Sequence, residues 1–258
     1  MQLIDTHAHI YDLQNDLPLV LERAQKNFIK KIYMPNIDTT TIARMMDLAA
    51  LYPCLPMMGI HPCYISKDFT KPLYLVEEWL DKGGFIAVGE IGIDLYHDTT
   101  LLEAQQEAFR IQLGLAKRYH LPVSIHCRNA FKEVIQLLEK EQDGNLKGVI
   151  HCFTGNLQEA EKCIALGFAL GIGGILTMAK SGLATTVAAI DLNHLVLETD
   201  SPYLTPAPLR GKPNEPSYLH YIAEKLAVVK QVTLAEVASV TTQNAEKIFE
   251  PIQVFGSY

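Results

Sequence analysis

Residues 147–172, KGVIHCFTGNLQEAEKCIALGFALGI, contain two short apolar runs on either side of an amphipathic stretch. The runs 147–152 and 167–172 are typical of β-strands that are covered on both faces. Residues 157–166 have the apolar spacing of a helix, and Gly167 follows them, where a helix end favours a residue that adopts positive φ. The stretch therefore predicts a strand, a helix and a second strand, which is the unit of a parallel sheet.

The same alternation runs along most of the chain. Eight repeats of strand and helix predict an α/β fold with a single closed (β/α)₈ TIM-type barrel and extra C-terminal helices, and an open doubly wound sheet is the alternative. A length of 258 residues fits one barrel domain, residues 1–258. The predicted strands are 2–7, 31–36, 55–60, 85–90, 121–126, 147–152, 167–172 and 194–199. The predicted helices are 18–29, 39–51, 72–82, 101–119, 129–141, 157–166, 183–190, 217–230 and 233–249.

Composition and charge narrow the class of protein. With 48% hydrophobic and 20% charged residues, the chain has the composition of a globular protein with a large core. No apolar run approaches the roughly 18 residues that cross a bilayer, and no signal-peptide pattern is visible, so we expect a cytoplasmic protein without membrane contact. Five cysteines without a CxxC pair argue against a disulfide framework. Because the net charge is -7, any binding of nucleic acid must be local or depend on bound cations.

Six side chains of metal-ligating type fall at the carboxyl ends of predicted strands. In a barrel these ends form one mouth, so residues far apart in sequence converge there, and residues two apart in a strand share a side. A lone histidine at a strand end is more often structural, but six imidazoles and carboxylates left unpaired in one pocket would be costly. Six ligands exceed what one ion takes from a protein, which favours two divalent ions, Zn²⁺, Mn²⁺, Fe²⁺ or Mg²⁺, sharing a carboxylate. The six are His7, His9, Glu90, His126, His151 and Asp200.

Several motifs together resemble the TatD family of metal-dependent deoxyribonucleases, in the amidohydrolase superfamily. They are IDTHAHIYD (4–12), GIHP (59–62), AVGEIGID (87–94), SIHCRNA (124–130), IHCFTG (150–155), LETDSPYLTP (197–206) and TQNAEKIF (242–249). The resemblance implies a barrel with a two-metal centre that hydrolyses DNA phosphodiesters, often from the 3′ end. It also implies that His7, His9 and Asp200 hold one metal, that His126 and His151 hold the other, and that Glu90 bridges them. The family loop RGKRN reads RGKPN here (210–214), so Pro213 offers no cation to a phosphate.

Other residues near these motifs have candidate roles in catalysis or substrate binding. By the superfamily resemblance, Asp200 is also the candidate general base. Glu198 is expected either to orient a ligand histidine or to act directly, and His61 either to contact a substrate phosphate or leaving group or to be structural. Arg128, Arg210 and Tyr203 are the expected substrate contacts. Cys127 and Cys152 directly follow ligand histidines, so strand alternation predicts that they face away from the pocket.

The sequence favours single-stranded DNA or 3′ ends as substrate, because the scattered lysines and arginines form no basic stripe for duplex tracking. We expect a monomer with no obligate protein partner. One alternative is a small-molecule phosphoesterase or amidohydrolase of the same superfamily. Another, of a different class, is a non-catalytic metal-binding scaffold, although a structural site would be coordinatively closed.

Overall fold

The computed structural model describes residues 1–13, 16–207 and 209–249, and its centre is one sheet of eight parallel strands. The strands follow one another around the sheet in chain order, from β1 to β8. This order and the helices between the strands confirm the predicted (β/α)₈ barrel. The strands are β1 (Leu3–Asp5), β2 (Ile29–Pro35), β3 (Cys54–Met58), β4 (Ala87–Asp94), β5 (Val123–Arg128), β6 (Gly148–Ile150), β7 (Phe168–Ile172) and β8 (Leu195–Leu197).

Nine α-helices lie within the described residues, each overlapping a predicted one. The first ends earlier than the predicted 18–29, because Asn27 caps it, Phe28 has a φ of 65° and Ile29 begins β2. None of the helices in the described ranges is long and apolar enough to cross a bilayer. They are α1 (Leu17–Lys26), α2 (Ile42–Leu51), α3 (Thr70–Lys82), α4 (Leu102–Tyr119), α5 (Phe131–Glu141), α6 (Leu157–Ala165), α7 (Leu183–Ala189), α8 (Leu219–Lys230) and α9 (Leu234–Phe249).

Backbone hydrogen bonds join the last strand to the first and close the barrel. The Thr6 N–H donates to the Leu197 carbonyl at 3.0 Å, and the Asp200 N–H donates to the His7 carbonyl at 2.9 Å. The Asp5 carboxylate adds a side-chain link, because it accepts from the Thr199 N–H and from the Thr199 hydroxyl. Closure therefore places His7 and Asp200, which are far apart in sequence, side by side.

Helix α9 covers the amino-terminal end of the barrel. Asn244 donates from its side-chain amide to the carbonyls of Leu192 and Leu195, and Thr242 donates to the Gln2 carbonyl, at or just before the beginnings of β8 and β1. Phe249, which is 2% exposed, packs edge-on against the buried Tyr33 with ring centroids 5.0 Å apart. Side chains from seven of the strands complete this inner cluster, and a larger apolar layer fills the space between sheet and helices.

Two predicted strand ends were placed too early. Glu90 and His126 were expected to end their strands, but β4 continues to Asp94 and β5 to Arg128. The pairing of β4 with β5 shifts register between Val88 and Ile91, and the Gly89–Glu90 peptide is cis. Beyond that shift, β4 and β5 stay paired up to Asp94 and Arg128. Only glycine fits at position 92, because a Cβ there would lie 2.0 Å from the His126 carbonyl oxygen and φ is +140°.

Candidate metal centre

A cavity of about 910 Å³ opens at the carboxyl ends of the strands, opposite α9. Its size is within the range of small-molecule sites. The wall includes five of the six predicted ligands, and the sixth, His7, is fully buried directly behind it. The barrel mouth thus brings together all six side chains.

The first donor cluster consists of His7, His9 and Asp200. The Nε2 atoms of His7 and His9 lie 3.2 Å apart, and each is 3.6 to 3.7 Å from Asp200 Oδ1. Glu90 Oε2 faces the same two nitrogens, at 3.2 Å from His7 and 3.4 Å from His9. The chain leaves β1 at Asp5, and His7 and His9 still point to one side, as residues two apart in an extended segment do.

The second donor cluster lies on the other oxygen of Glu90. Glu90 Oε1 is 2.9 Å from His126 Nδ1 and 2.8 Å from His151 Nε2, and these two nitrogens are 3.3 Å apart. His61 joins the cluster, because its Nε2 lies 3.3 Å from Glu90 Oε1 and 3.3 Å from His126 Nδ1. Each oxygen of one buried carboxylate therefore faces its own group of imidazole nitrogens.

Burial and neighbouring charges shift the pKa values of the carboxylates and imidazoles in both donor clusters. Burial opposes the ionisation of Glu90, but the charges of His61, His151 and His7 outweigh it and hold the Glu90 pKa well below its usual value. The Asp200 pKa is also lowered. Burial raises it, but the hydrogen bond with His9 and the charge of His151 outweigh burial. Burial disfavours the charged form of His9, but Asp200 and Glu90 raise its pKa to about 10. Both carboxylates are thus ionised at neutral pH and attract positive charge.

Three of the four ligand histidines are fixed by a partner at the other ring nitrogen. His7 Nδ1 faces the Ser124 hydroxyl at 3.2 Å, and His9 Nδ1 faces the Tyr11 hydroxyl at 2.9 Å. His126 Nε2 lies 2.9 Å from Asp94 Oδ2. Such partners set the tautomer and the ring orientation of metal-binding histidines. From the sequence, Asp94 could bond either a ligand or a loop, and the structure places it against the ligand His126. Tyr11 and Ser124 received no role, and their one visible signal is that they lie two residues from His9 and His126.

Glu198 supports the remaining histidine. Its Oε1 accepts from the Cys152 N–H at 2.6 Å and lies 3.4 Å from His151 Nδ1. Glu198 is fully buried behind His151 and is absent from the cavity wall as far as the structure describes it. Of the two roles expected for Glu198, this position favours orientation of a ligand histidine over direct contact with a substrate.

The predicted substrate contacts divide into two groups. Arg128 and Tyr203 line the cavity, and the Arg128 guanidinium stacks on the Tyr96 ring at 3.9 Å. Arg210 instead is exposed and donates to the Met178 sulfur at 3.1 Å, outside the described cavity wall. Asn214, which received no role from the sequence, holds the loop that carries Tyr203, because its amide donates to the Thr199 and Tyr203 carbonyls.

The expectation for Cys152 was wrong. It contributes to the cavity wall, although alternation predicted that it faces away. For Cys152 the reason is local: β6 ends at Ile150, and Cys152 has a φ of 46°, so the alternation of an extended strand no longer applies. Cys127 borders the cavity, but it is buried in the apolar layer between sheet and helices, as alternation from His126 predicted.

The donor set fits two divalent cations. Imidazole nitrogens that face one another at 3.2 to 3.3 Å cannot all satisfy each other by hydrogen bonding, whereas a cation accepts a lone pair from every one. Two such groups on opposite oxygens of Glu90 match a carboxylate that bridges two ions. Nitrogen and oxygen donors without a required thiolate suit Zn²⁺, Mn²⁺ or Fe²⁺.

Comparisons with known proteins agree with this geometry. Residues 4–250 match the family model described as TatD related DNase. The uncharacterized metal-dependent hydrolase YabD of Bacillus subtilis is 38% identical over 251 residues, which cover 96% of this chain and 98% of that protein. A Yersinia pseudotuberculosis protein named 3′-5′ ssDNA/RNA exonuclease TatD is 33% identical, with 91% and 93% of the two chains covered. The crystal structure of YjjV, a TatD homologue from Escherichia coli, superposes with a TM-score of 0.91 at 32% identity and covers 97% of this chain and 98% of that chain.

Proposed function

The chain belongs to the family of TatD-related DNases and is a metal-dependent hydrolase, and from that premise we propose that it removes nucleotides from the 3′ end of single-stranded DNA with two metal ions. The observation that carries the proposal is Glu90, whose two oxygens each face a separate cluster of imidazoles within 3.4 Å. The exonuclease name of the Yersinia relative supports the choice of substrate.

Two groups of side chains would hold the ions. His7, His9 and Asp200 would hold one, and His126 and His151 the other, with Glu90 shared between them. When bound, the ions supply an acidified water as nucleophile and positive charge against the phosphate oxygens. His61 adds a further nitrogen beside the second group, where it either completes the coordination or contacts the leaving group.

Asp200 is the proposed general base. Its carboxylate lines the cavity and is ionised at neutral pH, because His9, His151 and His7 together outweigh its burial and lower its pKa. An ionised carboxylate at the cavity surface can accept a proton from the attacking water. Glu198 is proposed to act through His151, whose ring orientation it sets.

The cavity wall suits the end of one strand. The Arg128 guanidinium can donate two parallel hydrogen bonds to one phosphate, and its stacking on the Tyr96 ring fixes its orientation. Tyr203 is half exposed at the rim, 6.1 Å from the His9 ring between centroids, where it can stack on a terminal base. The net charge of -7 disfavours long contacts with a duplex, so binding depends on this local set. Arg210 is not part of it.

The test uses single-stranded DNA labelled at either end, with Mg²⁺, Mn²⁺ or Zn²⁺ added to metal-free protein. We expect release of mononucleotides from 3′-labelled DNA and progressively shorter products from 5′-labelled DNA. Asp200→Asn should abolish this activity, and Arg128→Ala should raise KM while the matched control Arg210→Ala should not. Intact DNA with every metal, or full activity in Asp200→Asn, would refute the proposal. Cleavage of p-nitrophenyl phosphate without cleavage of DNA would favour a small-molecule phosphoesterase.

A further inference from the structure

A second set of metal-ligating side chains lies at the cavity wall, beside the candidate centre and outside the six ligands. It consists of Cys63, which follows β3, Asp94, which ends β4, and His97 in the turn after β4. One ligand atom from each of the three lies within 4.8 Å of the other two. Cys63 and His97 are exposed, so ions can reach them from the solvent, whereas Asp94 is buried.

The separation of the thiol and the imidazole in this set matches a tetrahedral zinc site. Cys63 Sγ lies 3.5 Å from His97 Nδ1, and the same nitrogen lies 3.0 Å from Asp94 Oδ2. With Zn–S near 2.3 Å and Zn–N and Zn–O near 2.1 Å, tetrahedral ligand atoms are separated by about 3.4 to 3.6 Å. The Cys63–His97 distance fits this range, whereas His97 Nδ1 and Asp94 Oδ2 would separate by about 0.4 Å from their hydrogen-bond distance when an ion binds. We propose that Cys63, Asp94 and His97 bind a third divalent ion, with Zn²⁺ preferred, and that a fourth position stays open toward the cavity.

The surrounding bonds hold the carboxylate ready for such an ion. Asp94 Oδ1 accepts from the N–H groups of Tyr96 and His97, both at 2.9 Å, which fixes the carboxylate in one orientation. Its Oδ2 lies between His126 Nε2 and His97 Nδ1. The ion would replace the proton that His97 shares with Asp94, and the Cys63 thiol would lose its proton to solvent on binding.

The thiol decides which ion the site prefers. A thiolate together with one imidazole and one carboxylate selects Zn²⁺ over Mg²⁺ or Mn²⁺, which favour oxygen ligands. The six-ligand centre needs no thiolate, so the two sites differ in chemistry as well as in position. They are linked through Asp94, because this carboxylate also accepts from the ring of His126 in the six-ligand centre. The proposal concerns ion binding and stands independently of the nuclease proposal.

The test measures metal binding instead of hydrolysis. Metal-free protein is titrated with Zn²⁺ and its metal content determined after removal of loosely bound ion, and Co²⁺ is used as a spectroscopic substitute. We expect Cys63→Ser and His97→Ala each to bind one Zn²⁺ per chain fewer than the wild type. The wild type with Co²⁺ should show a sulfur-to-cobalt charge-transfer band that Cys63→Ser lacks.

Cys152→Ser is the matched control, because Cys152 is another thiol in the cavity wall. It should keep both the charge-transfer band and the full zinc content. Equal zinc content in wild type, Cys63→Ser and His97→Ala would overturn the proposal. So would a band that survives in Cys63→Ser and disappears in Cys152→Ser. Because Cys63 is exposed, its exchange for serine should leave the melting temperature of the metal-free protein unchanged.

Discussion

Adding one methyl group at Gly171 should disturb the metal centre through Glu198. A Cβ at this position of β7 would lie 2.2 Å from Glu198 Oε2 and 3.1 Å from the His151 Cα. Because contacts below 3.0 Å are essentially never seen for Cβ atoms, the carboxylate must retreat by at least 0.8 Å. Glu198 is fully buried, so it has little free space in which to move. It would then lose its position beside His151 Nδ1 and its bond from the Cys152 N–H.

The expected loss in metal affinity follows from the role of Glu198. Removal of a group that orients a ligand histidine typically costs 10- to 100-fold in affinity, which is about 1.4 to 2.7 kcal/mol. Overpacking of the barrel wall should also lower the free energy of unfolding of the metal-free protein by about 1 to 3 kcal/mol. We therefore expect Gly171→Ala to bind metal about 10- to 100-fold more weakly.

Gly173→Ala is the matched control for this change. A Cβ at Gly173 would lie 3.7 Å from Glu198 Cγ, which is an ordinary contact. Competition with a chromogenic chelator measures metal affinity, and urea unfolding of metal-free protein measures stability. If Gly171→Ala binds metal as tightly as Gly173→Ala, the argument that Glu198 positions His151 is refuted.

Three further predictions concern other parts of the molecule. Tyr11→Phe removes the hydroxyl beside His9 Nδ1 and should weaken metal binding about 10-fold in the chelator competition, so an unchanged affinity would contradict the role given to Tyr11. Phe249→Ala should lower the free energy of unfolding in urea by about 3 to 5 kcal/mol, because the ring is buried under the barrel, and a loss below about 1 kcal/mol would show that α9 does not close it. Burial raises the pKa of Asp5 from 3.8 to about 7, so the folded protein holds this proton more tightly than the unfolded chain. The stability of metal-free protein should therefore fall by at most about 4 kcal/mol as pH rises from about 4 to about 7, and a profile unchanged in Asp5→Asn would exclude Asp5 as the cause.

The barrel could be predicted from the sequence because its strands are covered on both faces. Such strands appear as apolar runs, and helices of ordinary amphipathic spacing separate them. The six donor residues could be found for a related reason: polar side chains at the ends of apolar runs are conspicuous, and the topology of a barrel gathers them. The ends of the strands were harder to predict, because the register shift that places Glu90 in the interior of β4 depends on contacts with β5.

Apart from Glu198, the groups that orient the donors could not be assigned from the sequence. Ser124 lies inside a strand, where a hydroxyl has no distinguishing pattern, and its bond to His7 joins residues 117 positions apart. The use of Nδ1 by His126 depends on Asp94, which occupies the other ring nitrogen. Arg210 lies within a basic motif, but a loop directs it toward Met178 instead of the cavity. These outcomes depend on tertiary distances and directions, which a linear pattern does not contain.

The hydrogen bonds between β8 and β1 also determine when the first donor cluster forms during protein synthesis. Thr6 and Leu197, which join across the seam, are 191 residues apart, so a growing polypeptide makes His7 long before Asp200 exists. Until β8 has left the ribosome and docked, the first donor cluster lacks one of its carboxylates. An ion at the first cluster would therefore be retained tightly only by a finished barrel, and capture of that ion would mark the completion of folding. In the cell, incomplete chains would compete poorly for scarce metal.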